Sequence, residues 1–163
     1  MEKNKEEKTN VMRVLEQKKI AYTAHTYPHE EGVAVDGVTV AQSMGFDPAA
    51  VFKTLVARGA SKQYYVFDVP VAENLDLKKA AKAVGEKSIE MLHQKELLPL
   101  TGYVHGGCSP VGMKKLFPTV IDASAENLET MIVSAGKIGY QVELSPRDLA
   151  ALVRAKFADL IAE

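Results

Sequence analysis

The segment Val51-Phe52-Lys53-Thr54-Leu55-Val56 sets one lysine inside an apolar run. Period-two alternation puts Phe52, Thr54 and Val56 on one side of a strand and Lys53, Leu55 and Ala57 on the other, so the ammonium leaves the backbone toward a mainly apolar wall. An unpaired charge there is costly. Such a lysine either lies near a strand end and reaches water with its head, or it holds an anion. A second feature is Tyr103-Val104-His105-Gly106-Gly107-Cys108-Ser109-Pro110-Val111-Gly112. Adjacent glycines permit positive φ and close approach of a ligand while Pro110 stiffens the exit, so the amides of Gly106 to Pro110 can converge on a carbonyl or carboxylate-like oxygen. The same residues also suit a plain tight turn. The third feature, Ser134-Ala135-Gly136-Lys137-Ile138-Gly139, lacks the spacing of a phosphate-binding loop and reads as a hairpin turn with a solvated lysine.

A cysteine or serine hydrolase needs a base beside its nucleophile. Cys108 and Ser109 have His105 nearest in sequence, with His25, His29 and His93 elsewhere, yet no G-x-S-x-G elbow surrounds them and nothing pairs them visibly. No His, Asp or Glu pair has convincing metal-ligand spacing, and His25 with His29 on a segment containing Pro28 is more simply incidental. No metal or other cofactor is expected.

The elements that must position these residues alternate between helix and strand. Val11, Val14, Leu15 and Lys18 follow helical spacing over about Thr9 to Lys19, and Ala21 to Tyr27 reads as a strand. Thr39 can cap a helix through Met44 that Gly45 ends, and Asp47-Pro48 can cap the next turn. Ser61-Lys62 reads as the turn pairing the Lys53 strand antiparallel with Gln63 to Val69. Asp76 caps a helix with Leu77, Ala80, Ala81 and Val84 as its core stripe, Gly85 at its end and Lys78, Lys79 and Lys82 opposite. Strands follow at Tyr103 to His105, Thr119 to Asp122, Met131 to Ser134 and Tyr140 to Leu144, separated by turns, which argues for a largely antiparallel or mixed sheet. Ser145-Pro146 opens a last helix that carries Leu149, Leu152, Val153, Phe157, Leu160 and Ile161 on one face.

Composition bounds the class. With 163 residues, 47% hydrophobic and 25% charged, the chain is sized for one domain over residues 1–163. No run approaches the roughly 20 apolar residues of a membrane span, and Met1 to Lys8 lacks the apolar core of a signal peptide, so a cytoplasmic location is expected. One cysteine excludes an internal disulfide or a thiolate zinc cluster. The net charge of −1 predicts no general affinity for polyanions, so any nucleic-acid contact needs a local patch. Lys78, Lys79 and Lys82 are one candidate, equally readable as a solvated helix face.

Taken in order, His25-Thr26-Tyr27 with His29, Phe52-Lys53-Thr54-Leu55, Leu75-Asp76-Leu77-Lys78-Lys79, Thr101-Gly102-Tyr103, Gly106-Gly107-Cys108-Ser109-Pro110, Ile121-Asp122-Ala123, Ser134 to Gly139 and Ala155-Lys156-Phe157-Ala158-Asp159 resemble the bacterial Cys-tRNA(Pro) deacylases of the YbaK/EbsC type, relatives of the prolyl-tRNA synthetase editing domain. That resemblance implies an α+β fold, a compact, mixed, largely antiparallel, barrel-like sheet surrounded by helices. It implies a catalytic Lys53 meeting the tRNA 3′ end, with Thr54 beside it, and a pocket tyrosine at Tyr27. It also implies a loop from Gly106 through Gly107, Cys108 and Ser109 to Pro110 that holds the aminoacyl group, Gly106 and Pro110 being its catalytic ends, and a pocket serine at Ser134. The substrate implied is mischarged tRNA(Pro), with prolyl-tRNA synthetase as a transient partner, and its own thiol attacks the ester without an enzyme nucleophile. An alanine-removing sister enzyme using water and a non-catalytic aminoacyl- or nucleotide-binding module are the rival readings. Two positions depart from the pattern: Gln141 stands where relatives carry aspartate, and no pocket phenylalanine is evident near Val35 to Gly37.

Overall fold

The computed structural model describes residues 8–30 and 32–163. Its helices are α1 (Asn10–Gln17), α2 (Gly37–Met44), α3 (Leu77–Val84), α4 (Gln94–Thr101) and α5 (Pro146–Val153). Its strands are β1 (Tyr22–Thr26), β2 (Phe52–Gly59), β3 (Tyr64–Pro70), β4 (Ile89–Met91), β5 (Thr119–Asp122), β6 (Met131–Ser134), β7 (Tyr140–Leu144) and β8 (Lys156–Ala158). They form an antiparallel sheet in the order β1-β7-β6 and a mixed sheet in the order β4-β2-β3-β5-β8, whose β3–β5 and β5–β8 pairs are parallel. The α+β class and the mixed sheet are as expected. The sheet is not closed into a barrel: two sheets remain, and a bridge between Val51 and Ile132 ties them together.

The β2–β3 hairpin has the expected register, Phe52 opposite Pro70 through Arg58 opposite Tyr64, and Lys62 takes φ 77° in its turn. β2 separates two clusters of side chains. Phe52 and Val56 face a core shared with Leu15, Met131, Leu144 and Leu149, whereas Leu55 and Ala57 face Phe67, Val69 and Leu160. Each large apolar side chain sealed from water in this way contributes roughly 1.5–3 kcal/mol.

Several elements depart from the sequence expectations, each for a local reason. Asp36 rather than Thr39 caps α2, since its carboxylate accepts from both the amide and the hydroxyl of Thr39. Leu77 is 41% exposed, which leaves Ala80 and Ala81 to bury α3. Residues Tyr103 to His105 form no strand, because the Tyr103 hydroxyl donates to the Val111 carbonyl and folds the segment into a loop. α4 was not anticipated because Pro99 lies inside it; its opening is held by the His93 amide donating to Glu96 Oε2. β4, just before α4, forms a short edge on β2.

The last helix stops at Val153, with Arg154 left-handed at φ 57°. Residues 156–158 then pair parallel with β5. The helical spacing of Phe157 and Leu160 is coincidental, since Phe157 packs against the first cluster and Leu160 within the second. Asp122 fixes this return: it is buried, its Oδ1 accepts from the Leu160 amide at 2.9 Å and its Oδ2 from the Ser124 amide at 3.0 Å. Asp122→Ala orphans both amides at the end of β5 and should lower stability by about 2–4 kcal/mol, read from urea denaturation with an unchanged slope. A loss below about 0.5 kcal/mol contradicts this role for Asp122.

Candidate functional site

A cavity of about 560 Å³ opens between the two sheets. The hairpin contributes Phe52, Lys53, Thr54 and Leu55, the small sheet Ser134, Tyr140 and Gln141, and the loops Tyr27, Asp36, His105, Gly106 and Cys108. Seven of the expected site residues therefore share one wall system: Tyr27, Lys53, Thr54, Gly106, Cys108, Ser134 and Gln141. Gly107, Ser109 and Pro110 are not part of it. Ser109 is fully buried and its hydroxyl accepts from the Val111 amide, while Pro110 lines a separate pocket of about 190 Å³ with Met113, Leu116 and Phe117. The Gly107 amide donates to the Val104 carbonyl, so it closes a turn rather than facing a ligand.

Two sequence features that looked independent pack against each other. A Cβ on Gly106 would lie 2.6 Å from Ala34 Cβ, and Gly106 has φ 88°. A Cβ on Gly107 would lie 3.0 Å from the Ile138 amide nitrogen, so this loop touches the 136–139 turn backbone to backbone. Gly136, at φ 94°, would press a Cβ against the ring of Tyr103. Gly106 and Gly136 suit their positions by both space and left-handed conformation, and Gly107 by space alone. Within the turn, the Gly136 amide donates to Ser134 Oγ, which orients that hydroxyl oxygen.

Lys53 is half-buried, and among the described residues no carboxylate lies within ion-pairing distance of its ammonium. Burial pushes its pKa down, and the charges of Asp36 and Glu73 oppose the shift. A cation partly stripped of water, with Asp36 and Glu73 as its counter-charges, is costly to keep, and an anion brought to it would lower that cost. Gln141 Oε1 is buried in the wall and has no hydrogen-bond partner among the described residues.

Cys108 is buried, and desolvation followed by the neighbouring Asp68 charge pushes its thiol up to about 12. It is a thiol, not a thiolate, across the physiological range. His25 does not serve it: its Nε2 meets Glu143 at 2.8 Å, its ring stacks edge-on against Phe46, and Glu143 is held below the usual range by Thr130 and His25. His29 binds the Tyr27 carbonyl through Nδ1 and packs against Tyr27 and Tyr140. Among the described residues no three His, Cys, Asp or Glu side chains gather as metal ligands. At Val35 to Gly37, where a phenylalanine was sought, the wall is built by Val35, Asp36 and Gly37, with Val40 and Phe52 nearby.

Sequence reasoning missed Asp68. It lies opposite Thr54 in the hairpin register and is 0% exposed; its Oδ1 accepts from Thr54 Oγ1 at 2.6 Å and its Oδ2 has no partner among the described residues. The signal was an aspartate within Tyr64-Tyr65-Val66-Phe67-Asp68-Val69, a run too apolar to leave a charge solvated. Desolvation raises its pKa from 3.8 to about 7, against the lowering effect of the Thr54 hydrogen bond.

The chain matches the family model of the aminoacyl-tRNA editing domain over residues 32–152. It is 44% identical over 158 residues, covering 97% of this chain and 96% of its relative, to EbsC of Enterococcus faecalis, whose name proposes a Cys-tRNA(Pro)/Cys-tRNA(Cys) deacylase. A crystal structure described as a proposed trans-editing enzyme for prolyl tRNA synthetase superposes with a TM-score of 0.79 at 26% identity, over 94% of this chain and 95% of that one. A hypothetical protein at 20% identity shares the fold with a TM-score of 0.82, over 93% and 99% of the two chains.

The buried carboxyl makes stability depend on pH in a definite direction. Between about pH 4 and 7 the native Asp68 keeps a proton that the unfolded chain has released, so stability falls as pH rises through that window and levels off above it. Asp68→Asn retains an acceptor for Thr54 and abolishes the dependence. It should gain on wild type by about 2–4 kcal/mol at pH 8 and by little at pH 4, measured by urea denaturation across that range. Parallel stability curves for the two proteins contradict the assignment.

Proposed function

The chain belongs to the family of aminoacyl-tRNA editing domains, and from that premise we propose that it deacylates cysteine mischarged onto tRNA(Pro), the thiol of the substrate supplying the nucleophile. The observation that carries the reading is the make-up of the wall: Lys53 has no carboxylate within ion-pairing distance among the described residues, and Cys108 is held as a neutral thiol. Lys53 binds the phosphate or terminal ribose of the tRNA end. Tyr27, Ser134 and Gln141 surround the aminoacyl group, and the Gly106 turn limits its length and orientation. Held against its own carbonyl, the thiol closes on the ester and forms a cyclic thiolactone, which water later opens. The name of the Enterococcus faecalis relative supports cysteine as the amino acid. The net charge of −1 favours weak tRNA affinity, in keeping with a transient complex in which prolyl-tRNA synthetase presents the substrate.

Cysteinyl-tRNA(Pro) should be cleaved more than about 10²-fold faster than seryl- or alanyl-tRNA(Pro), a ratio beyond what fit alone gives a thiol over a hydroxyl, with the thiolactone trapped before it opens. Equal cleavage of alanyl-tRNA(Pro) replaces this reading with water attack and makes Gln141 the first position to exchange. Lys53→Ala should leave the circular dichroism spectrum unchanged and reduce kcat/KM by at least about 10³-fold, since a charge-assisted contact to the substrate is lost. Cys108→Ala should stay within about tenfold of wild type; a loss of several orders of magnitude, or an acyl group trapped on Cys108, identifies a covalent mechanism instead.

A further inference from the structure

The thiol chemistry above leaves one requirement unassigned: a proton must leave the attacking thiol and reach the departing ribose oxygen. Thr54 lines the cavity, and Asp68 lies directly behind it, fully buried, accepting the Thr54 hydroxyl hydrogen at 2.6 Å while its second oxygen has no partner among the described residues. With that hydrogen committed to Asp68, the Thr54 oxygen has lone pairs left to accept a further hydrogen, and the residue lines the cavity. We propose that Asp68, acting through the Thr54 hydroxyl, is the proton acceptor and return donor for ester cleavage in this cavity.

The proposal rests on the deacylase reading. In the forward step the substrate S–H proton passes to Thr54 Oγ1 as the Thr54 hydrogen moves to Asp68 Oδ1, and the sulfur–carbonyl carbon bond forms. In the return step the carbonyl carbon–ribose oxygen bond breaks, and the proton travels back from Asp68 through Thr54 to the ribose oxygen. The products are a thiolactone and a free tRNA end, with Asp68 ionised again and no co-reactant consumed. Asp68 never touches substrate and is a positioning residue in this sense.

The surroundings suit the role. Of the titratable groups on elements packed against Asp68, Cys108 on the neighbouring loop is a neutral thiol and Tyr103 beyond it is pushed up to about 12 by burial and Cys108. Lys53 on β2 has Asp36 and Glu73 as its charge neighbours, Asp122 on β5 is committed to the Ser124 and Leu160 amides, and His105 lines the cavity from the loop. Among the described residues no cation pairs with Asp68, and desolvation pushes its pKa up to about 7, between an ordinary carboxylate and a thiol. An acceptor titrating near the working pH is where general-base transfer is most effective.

The experiment is the pH profile of single-turnover kcat/KM on cysteinyl-tRNA(Pro) between pH 5.5 and 8 for wild type, Asp68→Asn, Thr54→Val and Thr54→Ser, with the Asp68 carboxyl titrated by carbon NMR in the free proteins. Wild type should lose activity below a midpoint near 7, the midpoint of its carboxyl. Asp68→Asn and Thr54→Val should both fall about 10²-fold or more and lose that limb, whereas Thr54→Ser, which keeps the hydroxyl, should keep it. The α-amino group of the substrate titrates alike in every variant, so a limb that disappears with Asp68 belongs to the protein. An Asp68→Asn enzyme within threefold of wild type, an unchanged limb, a carboxyl in the ordinary aspartate range, or an acyl group trapped on Thr54 overturns the relay and leaves the deacylase reading standing. A wild type that cleaves no aminoacyl-tRNA overturns that reading and the relay with it.

Discussion

β2 is covered on both faces and held at its edges by β3 along its length and by β4 over Ala57–Gly59, and the site forms at the end that β4 leaves open. Its neighbours are β3 and β4, its two faces belong to two different apolar clusters, and the bridge from Val51 to Ile132 joins its start to the second sheet. A strand so confined has no freedom to turn its polar residues outward. Lys53 and Thr54, one on each face, therefore stay where the gap between the sheets begins, and the cavity forms around the first residues of the strand. Register errors of one residue would exchange the two faces, which the hairpin and the bridge together forbid.

The opposite wall is fixed by absence of side chains. Gly106 meets Ala34 at a distance that a Cβ could not share, and Gly107 against Ile138 and Gly136 against Tyr103 would admit one only if the neighbour gave way. Two loops distant in sequence are thereby pressed into one surface, with the Tyr103 hydroxyl holding the Val111 carbonyl behind it. Loops carry binding groups well when a rigid scaffold positions them, and here the scaffold is close backbone contact rather than a hydrogen-bond ladder.

Polar groups in this interior fall into two kinds. Asp122 has amide partners on both oxygens and stabilises the junction it occupies. Asp68 and Gln141 each keep one oxygen without a partner, and Lys53 keeps its charge without a close carboxylate among the described residues. Gln141 and Lys53 line the cavity and Asp68 lies directly behind Thr54, so three polar groups whose burial costs stability stand at or next to one site.

By itself the sequence determined the local elements whose signals are chemical and short-range. The caps at Asp47 and Asp76, the glycines closing α2 and α3, the β2–β3 hairpin and strands β5, β6 and β7 all follow from neighbouring side chains. The order of short motifs was enough to suggest the family, and alternation alone identified Lys53 as the residue to explain. Only the tertiary structure decided which loop residues face the cavity: Gly106 and Cys108 do, while Ser109 turns into the core and Pro110 into a second pocket, because Tyr103 bends a segment whose composition suits a strand. It also decided that residues 156–158 pair with β5 rather than continue α5, since Phe157 and Leu160 find different clusters on two sides of the chain, a choice helical spacing cannot express. Asp68 was hidden for the same reason: its importance comes from lying opposite Thr54 with water excluded, and neither the pairing nor the desolvation is a property of the residues beside it in the chain.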